Sequence, residues 1–424
     1  MTNDLSRRDF VKTSSLAAAA VTLAPLSTFA ASRRSDTIKV GVIGCGGRGT
    51  GAAVDCMTAD PGVKIVSMGD LFKDRVNSSR EELLKQEGFK DRVDVPDDRV
   101  FTGFDAYKKV LDSGVDLVIL ATSPHFRPIH FEAAVKAGKH IFFEKPVAVD
   151  PAGIRRVMAA ADQADAKKLC VVTGTQRRHS AEYLAAMDRI KQGAIGKIVS
   201  ARCYWNQGGL WVKPHQPDWS DMEWQIRNWL YFTWLSGDHI VEQHVHNLDV
   251  MNWAIGSHPL KASGMGGRQV RTGPEYGNIF DHFAIEYEYL GGIHGLSMCR
   301  QIDGTDGKVE EDFVGTDGRL HTRPGFAQTE GKTNWKWDGP DPLPYVQEHK
   351  DLLAAIRNGK HVNEAHRVAE STLTAIMGRM AAYTGKVVTW EQALNPKLDL
   401  SPPSYEFGPL PVAAVAVPGK TMLE

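Results

Sequence analysis

The fold class predicted for this chain is α/β: a doubly wound parallel sheet at the N-terminal end, then a second α/β domain on a largely antiparallel open sheet. Three observations predict it. Short β-branched runs alternate with segments of helical periodicity through the first half, a glycine-rich turn directly follows the first run, and beyond Gln176 alternating strands joined by glycine take over. A chain of 424 residues, 42% hydrophobic and 24% charged, is long enough for two domains with their own cores.

The N-terminal segment stands apart from this pattern. Ser6-Arg7-Arg8-Asp9-Phe10-Val11-Lys12 precedes a small-residue apolar run over 16–30 that ends in Thr28-Phe29-Ala30-Ala31. The run is too short and too weakly flanked to span a bilayer, and small residues close it, as at a cleavage site. Residues 1–31 therefore resemble a twin-arginine signal peptide, with Val11 in place of Leu. The expectation is a mature chain starting near Ala31, exported folded to the periplasm with no stable membrane anchor.

Each element of the mature chain has its own justification. Strands are expected at Ile38–Ile43, 64–68, 116–121, His140–Phe143 and 169–173, with a crossover helix near 129–137. A nucleotide-binding domain is placed at 36–147 and a second domain at 148–390. The second holds Trp-rich polar loops, a hairpin of 280–289 with 293–299 turning at Gly291-Gly292, and helices at 345–356 and 369–383. Residues 391–424 form a Pro-rich tail expected to run over the surface. A net charge of -1 provides no basic face for nucleic acid. The five cysteines lack C-x-x-C spacing and read as buried small residues.

Gly44-Cys45-Gly46-Gly47-Arg48-Gly49 lies between the first strand and a helix. Gly44 permits the tight turn, Gly46 and Gly47 let the backbone approach a pyrophosphate, and Gly49 lets helix pack on strand. Asp70, closing the second strand, is placed to accept from adenosine ribose hydroxyls and to repel a 2'-phosphate, so the expected cofactor is NAD and not NADP. Arg48 is positioned to touch phosphate. The combination defines a Rossmann domain.

A second motif, Glu144-Lys145-Pro146, follows the strand at His140–Phe143. A lysine at the carboxyl end of a parallel strand sits where such sheets bind ligands, although a solvated strand-end lysine fits the same position. Together with Ala121-Thr122, His130, Ala133 and Ala137-Gly138-Lys139-His140, this motif resembles the glucose-fructose oxidoreductase and inositol dehydrogenase (Gfo/Idh/MocA) family over most of 36–390. The resemblance implies that Lys145 stands beside the nicotinamide and the reacting carbinol as proton donor or acceptor, and that Thr122 and Glu144 contact cofactor.

Residues 239–249 have helical spacing, which places His239, Glu242, His246 and Asp249 on one polar stripe and His244 among apolar residues. Glu242, His246 and Asp249 match the family's D-x-x-x-H-x-x-D register, with Glu for Asp at the first place. The resemblance implies that His246 is the substrate-side acid-base partner, that Glu242 orients it or the substrate, and that Asp249 and Arg177 (or Arg178) lie at the substrate. His239 and His246 are two helical turns apart, about 10 Å, too far to share one metal ion on an unbroken helix, so no metal is expected. One or two of Trp205, Trp211, Trp219, Trp224, Trp229 and Trp234 are expected at the site.

The function these readings imply is an NAD-dependent oxidoreductase acting on a secondary hydroxyl of a sugar, glycoside or cyclitol, with tightly bound, recycled NAD. A redox-neutral NAD-dependent glycoside hydrolase and a non-catalytic sugar or nucleotide binder are the alternatives. The expected partner is a small carbohydrate; a homo-oligomer is left open.

Overall fold

The computed structural model describes residues 37–423, so the expected signal at 1–31 lies outside the described residues. Strands β1 (Ile38–Ile43), β2 (Val63–Asp70), β3 (Val100–Thr102), β4 (Leu117–Leu120), β5 (His140–Phe143) and β6 (Val171–Thr173) form one parallel sheet in the order β3-β2-β1-β4-β5-β6. Helices cover both faces, and β1, β2, β4 and β5 are accordingly almost wholly buried. The order reverses between β1 and β4, where such sheets open a crevice at their carboxyl ends. Ile43 pairs with Gly69 on one side and Leu120 on the other, and Leu120 pairs with Phe143. Gly44, Asp70, Ala121 and Glu144 consequently leave the sheet abreast. The parallel sheet also runs past the boundary placed at 147, because the helix Pro151–Ala166, capped by Asp150 accepting from the Gly153 amide at 2.7 Å, returns the chain to β6.

The second sheet is mixed. It comprises β7 (Ile198–Gln207), β8 (Lys261–Gly267), β9 (His282–Tyr289), β10 (Ile293–Gln301), β11 (Lys308–Gly315), β12 (Gly318–Arg323), β13 (Phe326–Gly331), β14 (Trp335–Lys336) and β15 (Val388–Thr389). Its order is β14-β13-β12-β11-β7-β10-β9-β8-β15, with β7 and β10 parallel and every other pair antiparallel. The expected hairpin is β9-β10, turning through Gly291 and Gly292 at positive φ. The helices Val245–Ile255 and Ala365–Thr384 contribute the sheet's buried partners.

One expectation is corrected here. Residues 239–249 are not one helix: the chain forms His239–Glu242, breaks at Gln243-His244 and resumes at Val245–Ile255. The His244 imidazole meets Ser297 Oγ at 2.8 Å on β10, and Asp238, at φ +71°, accepts from the His239 and Phe280 amides. These anchors outweigh helical continuity. His239, off the expected stripe, packs against Phe283 on β9. The tail lies on the surface, and two of its rings meet the first domain: Tyr405 Oη is 2.8 Å from His125 Nε2, and Phe407 stacks on Phe72.

A string of charges stitches the two sheets together: Asp351 to His179 (2.6 Å), His179 to Glu364 (3.5 Å), Glu364 to Arg367 (2.8 Å), Arg367 to Asp249 (3.6 Å) and Asp249 to Arg178 (2.8 Å). Burial opposes charging His179, but Asp351 and Glu364 outweigh it and raise its pKa to about 9. An unfolded histidine titrates near about 6.5. The protonated imidazole thus contributes stability fully below that value, and the contribution is lost as pH rises toward 9. The melting temperature should fall by several degrees between pH 6.5 and 9, and His179→Gln should flatten that slope. An identical slope in both proteins, read by scanning calorimetry, contradicts the assignment.

Candidate active site

The glycine loop is shaped for a dinucleotide. Gly44 sits at φ +93°, and a Cβ there would lie 2.5 Å from the Thr122 amide nitrogen. A Cβ on Gly49 would meet the Gly44 carbonyl at 1.8 Å, so close packing of helix on strand requires glycine. At Gly46 and Gly47 a Cβ would meet nothing within 4 Å, which leaves open space where the helix Gly47–Ala59 begins without a side-chain cap. Its free amides face that space, the arrangement that binds pyrophosphate. Here the residues present fit NAD.

A cavity of about 480 Å³ adjoins the loop, lined by Gly44, Gly46, Gly47, Arg48, Asp70 and Thr122, and by Phe72, Phe104 and Tyr107. Asp70 accepts from the Cys45 amide at 2.7 Å through one oxygen and from the Phe72 amide at 3.0 Å through the other. Burial raises its pKa against the pull of those amides. Asp70 therefore holds the loop against β2, and each oxygen keeps a lone pair for a ribose hydroxyl. Thr122 pairs with His130 Nδ1 at 3.2 Å.

Arg48 departs from expectation. Its guanidinium is committed to Glu144, to Glu348 at 3.1 Å and to Asp55 at 3.0 Å, and it lies over the Tyr345 ring. Glu144 and Glu348 are both buried, and Arg48, which also lines the cavity, supplies the cation beside them. Burial would raise Glu144, but Arg48, Arg127 and Lys145 hold its carboxyl below its ordinary pKa. Glu348 goes the other way, pushed well up by burial and by Glu144. The pair shares one negative charge.

Lys145, Glu242 and His246 do not line that cavity. Lys145 donates to the Glu242 carbonyl oxygen at 2.8 Å and stands 3.3 Å from Glu242 Oε1. Glu242 is thus the residue that orients Lys145. His246, buried, stacks on Trp205 with centroids 5.8 Å apart. Burial, then the positive charges of Lys145 and Arg177, push its pKa well below the ordinary histidine value, so the imidazole is held neutral. Asp249 and Arg177, the expected substrate residues, both pair with charges of the protein itself. Asp249 accepts from Arg178 at 2.8 and 2.9 Å and from Ser371 at 2.7 Å, while Arg177 pairs with Glu311 at 2.6 Å. Both are buried, and a buried charge needs such a partner to offset its lost hydration.

Sequence reading missed Arg127 and Glu348. Buried Arg127 donates to the Thr122 carbonyl at 2.9 Å and the Pro146 carbonyl at 2.7 Å, joining the ends of β4 and β5. No short-range signal marks either residue. Of the six tryptophans, three stand at the site: Trp205 beneath His246, and Trp211 and Trp229 in the nucleotide cavity.

Comparison with known proteins agrees with this geometry. The profile described as "Oxidoreductase family, NAD-binding Rossmann fold" (GFO_IDH_MocA) matches residues 38–173, and the "GFO/IDH/MocA C-terminal domain" matches 183–321. The chain belongs to the Gfo/Idh/MocA oxidoreductases, and its cofactor is NAD. It is 23% identical to scyllo-inositol 2-dehydrogenase (NAD(+)) of Bacillus subtilis (strain 168), over 76% of this chain and 87% of that protein. It is 28% identical to 2,7-anhydro-N-acetylneuraminate hydratase of Escherichia coli (strain K12), over 49% of this chain and 54% of the relative. The scyllo-inositol dehydrogenase of Lactobacillus casei, solved with NAD(H) and scyllo-inositol, shares the fold with a TM-score of 0.64 at 19% identity, covering 84% of this chain and 99% of that one.

Replacing Asp70 should act twice. Asp70→Ala removes a ribose acceptor and frees the Cys45 and Phe72 amides, so NAD affinity should fall by about tenfold or more while discrimination against NADP narrows. Fluorescence titration with both nucleotides reads this; unchanged affinities remove Asp70 from the site.

Proposed function

We propose that this protein oxidises a secondary hydroxyl of a neutral sugar, glycoside or cyclitol outside the cytoplasm, keeping its NAD bound and restoring it within each cycle. The observation that carries the reading is the placement of Lys145, fixed by Glu242, against a neutral His246 that lies on the flat face of Trp205. An imidazole beside the hydroxyl takes its proton as the hydride leaves, and an ammonium hydrogen-bonds the oxygen becoming a carbonyl. NAD held at the glycine loop and Asp70 would supply the hydride acceptor. Neutral substrate is favoured because four cations around the site already have carboxylates: Lys145 with Glu242, Arg48 with Glu144, Arg177 with Glu311 and Arg178 with Asp249.

The twin-arginine-like segment motivates recycling, since free NAD to exchange is scarce outside the cytoplasm. Two cycles meet that constraint. One sugar is oxidised and a second reduced, or a glycoside is oxidised to a ketone whose neighbouring C–H becomes acidic. In the second cycle that proton leaves to a base, the leaving group departs by elimination, water adds across the resulting double bond, and the ketone is reduced back. The hydratase relative favours a water-adding cycle.

The test is incubation of purified protein, without added nucleotide, with aryl glycosides and with sugar pairs. Many turnovers per protein are expected, and Lys145→Ala and His246→Ala should each lower the rate by about a hundredfold or more with NAD still bound. Turnover that demands a stoichiometric supply of free NAD contradicts recycling. Near-normal rates in either variant remove that residue from the chemistry.

A further inference from the structure

We propose that residues 210–229 of the second domain and the tail over 402–410 form a cover that retains the adenosine half of the nucleotide, with Arg227 as its latch. This deepens the reading that NAD stays bound through the cycle and rests on it. The nucleotide cavity has two walls drawn from distant parts of the chain: Asp70, Phe72 and Phe104 on one side, Trp211, Arg227 and Trp229 on the other. Aromatic surfaces face the space on both sides, the chemistry that encloses a flat purine. A site with a wall on one side only would let the nucleotide come and go.

Arg227 holds the walls together. Its guanidinium forks onto Asp74 at 3.1 and 3.2 Å and lies 3.8 Å from the centroid of the Phe72 ring, while Glu223 pairs with it at 2.9 Å from within its own helix, Asp221–Arg227. A forked, ring-stacked arginine keeps its geometry better than an isolated surface pair. Asp74 lies in the first turn of the helix Lys73–Lys85, four residues past the carboxylate that faces the ribose. Opening the cover requires this contact to break.

The tail reinforces it from both sides. Toward the cover, the Leu410 amide donates to Asp221 at 3.1 Å, Gln225 donates to the Leu410 carbonyl at 2.6 Å and the Met222 amide donates to the Gly408 carbonyl at 3.2 Å. Toward the nucleotide-binding domain, Phe407 packs on Phe72 and Phe104 at centroid distances of 6.0 and 5.5 Å, and Tyr405 pairs with His125. The same ring, Phe72, thus takes Arg227 on one contact and Phe407 on another.

The experiment measures NAD release from full-length, NAD-loaded protein after dilution into an excess of an NAD-hydrolysing enzyme. The Asp74 side chain is 60% exposed, so Asp74→Lys repels Arg227 without disturbing the core. Asp74→Lys and Phe407→Ala should each speed release at least tenfold, and the swapped pair Asp74→Lys with Arg227→Glu should return most of that loss. Release as slow as in the parent from both single variants overturns the cover. Parent protein that purifies empty contradicts retention during the cycle; the cover is then still judged on protein reloaded with NAD, by the same comparison of release rates.

Discussion

Buried cations at the junction of the two sheets must each find an acceptor, and the positions of those acceptors dictate most of what else is seen. Withdrawing an ammonium or guanidinium from water costs several kcal/mol even after relaxation, about as much as a whole domain's margin of stability, unless partners replace the lost hydration. Arg127 takes carbonyls at Thr122 and Pro146, Lys145 takes the carbonyl of Glu242, Arg178 takes Asp249, and Arg379 takes the carbonyls of Val149 and Gly237. The last of these links the helix Ala365–Thr384 to both the segment after β5 and the turn before His239. With these pairs made, the end of β5 and the helix carrying His246 have little freedom to move apart.

That constraint also shapes the chemistry. Lys145, Arg48, Arg177 and Arg178 each hold a carboxylate, whereas Arg127 and Arg379 are satisfied by carbonyls alone. Burial, with Lys145 and Arg177 nearby, keeps the His246 imidazole neutral. Arg48, Glu144 and Glu348 form a second paired group between the glycine loop and the reacting end, so the nucleotide cavity and the carbinol site are joined by a buried electrostatic bridge. The chain reads as an NAD-dependent Gfo/Idh/MocA oxidoreductase whose two halves are held in register by ion pairs.

What was legible beforehand had local causes. β1 through the glycine loop, Asp70 at the end of β2 and Lys145 at the end of β5 were readable because strand patterning and motif spacing act over few residues. The role of Glu242 was not, because its partner is 97 residues away and uses a main-chain carbonyl. Asp249 was read as a substrate residue since nothing near it in sequence announces Arg178 and Ser371 as its acceptor-seeking neighbours. The break at Gln243-His244 was hidden in the same way: helical periodicity continued through it, but Ser297 drew His244 into the sheet. The tail looked like surface coil, and its aromatic residues found their partners 280 residues earlier in one case, His125 with Tyr405.

The most direct test of the central claim is a crystal structure of the protein with NAD and a slowly reacting polyol. The account predicts the reacting hydroxyl within hydrogen-bond reach, about 2.6–3.2 Å, of both Lys145 Nζ and a ring nitrogen of His246, with Lys145 still held by the Glu242 carbonyl. A polyol whose hydroxyls bind away from Lys145 and His246, with the nicotinamide ring turned from them, would contradict it.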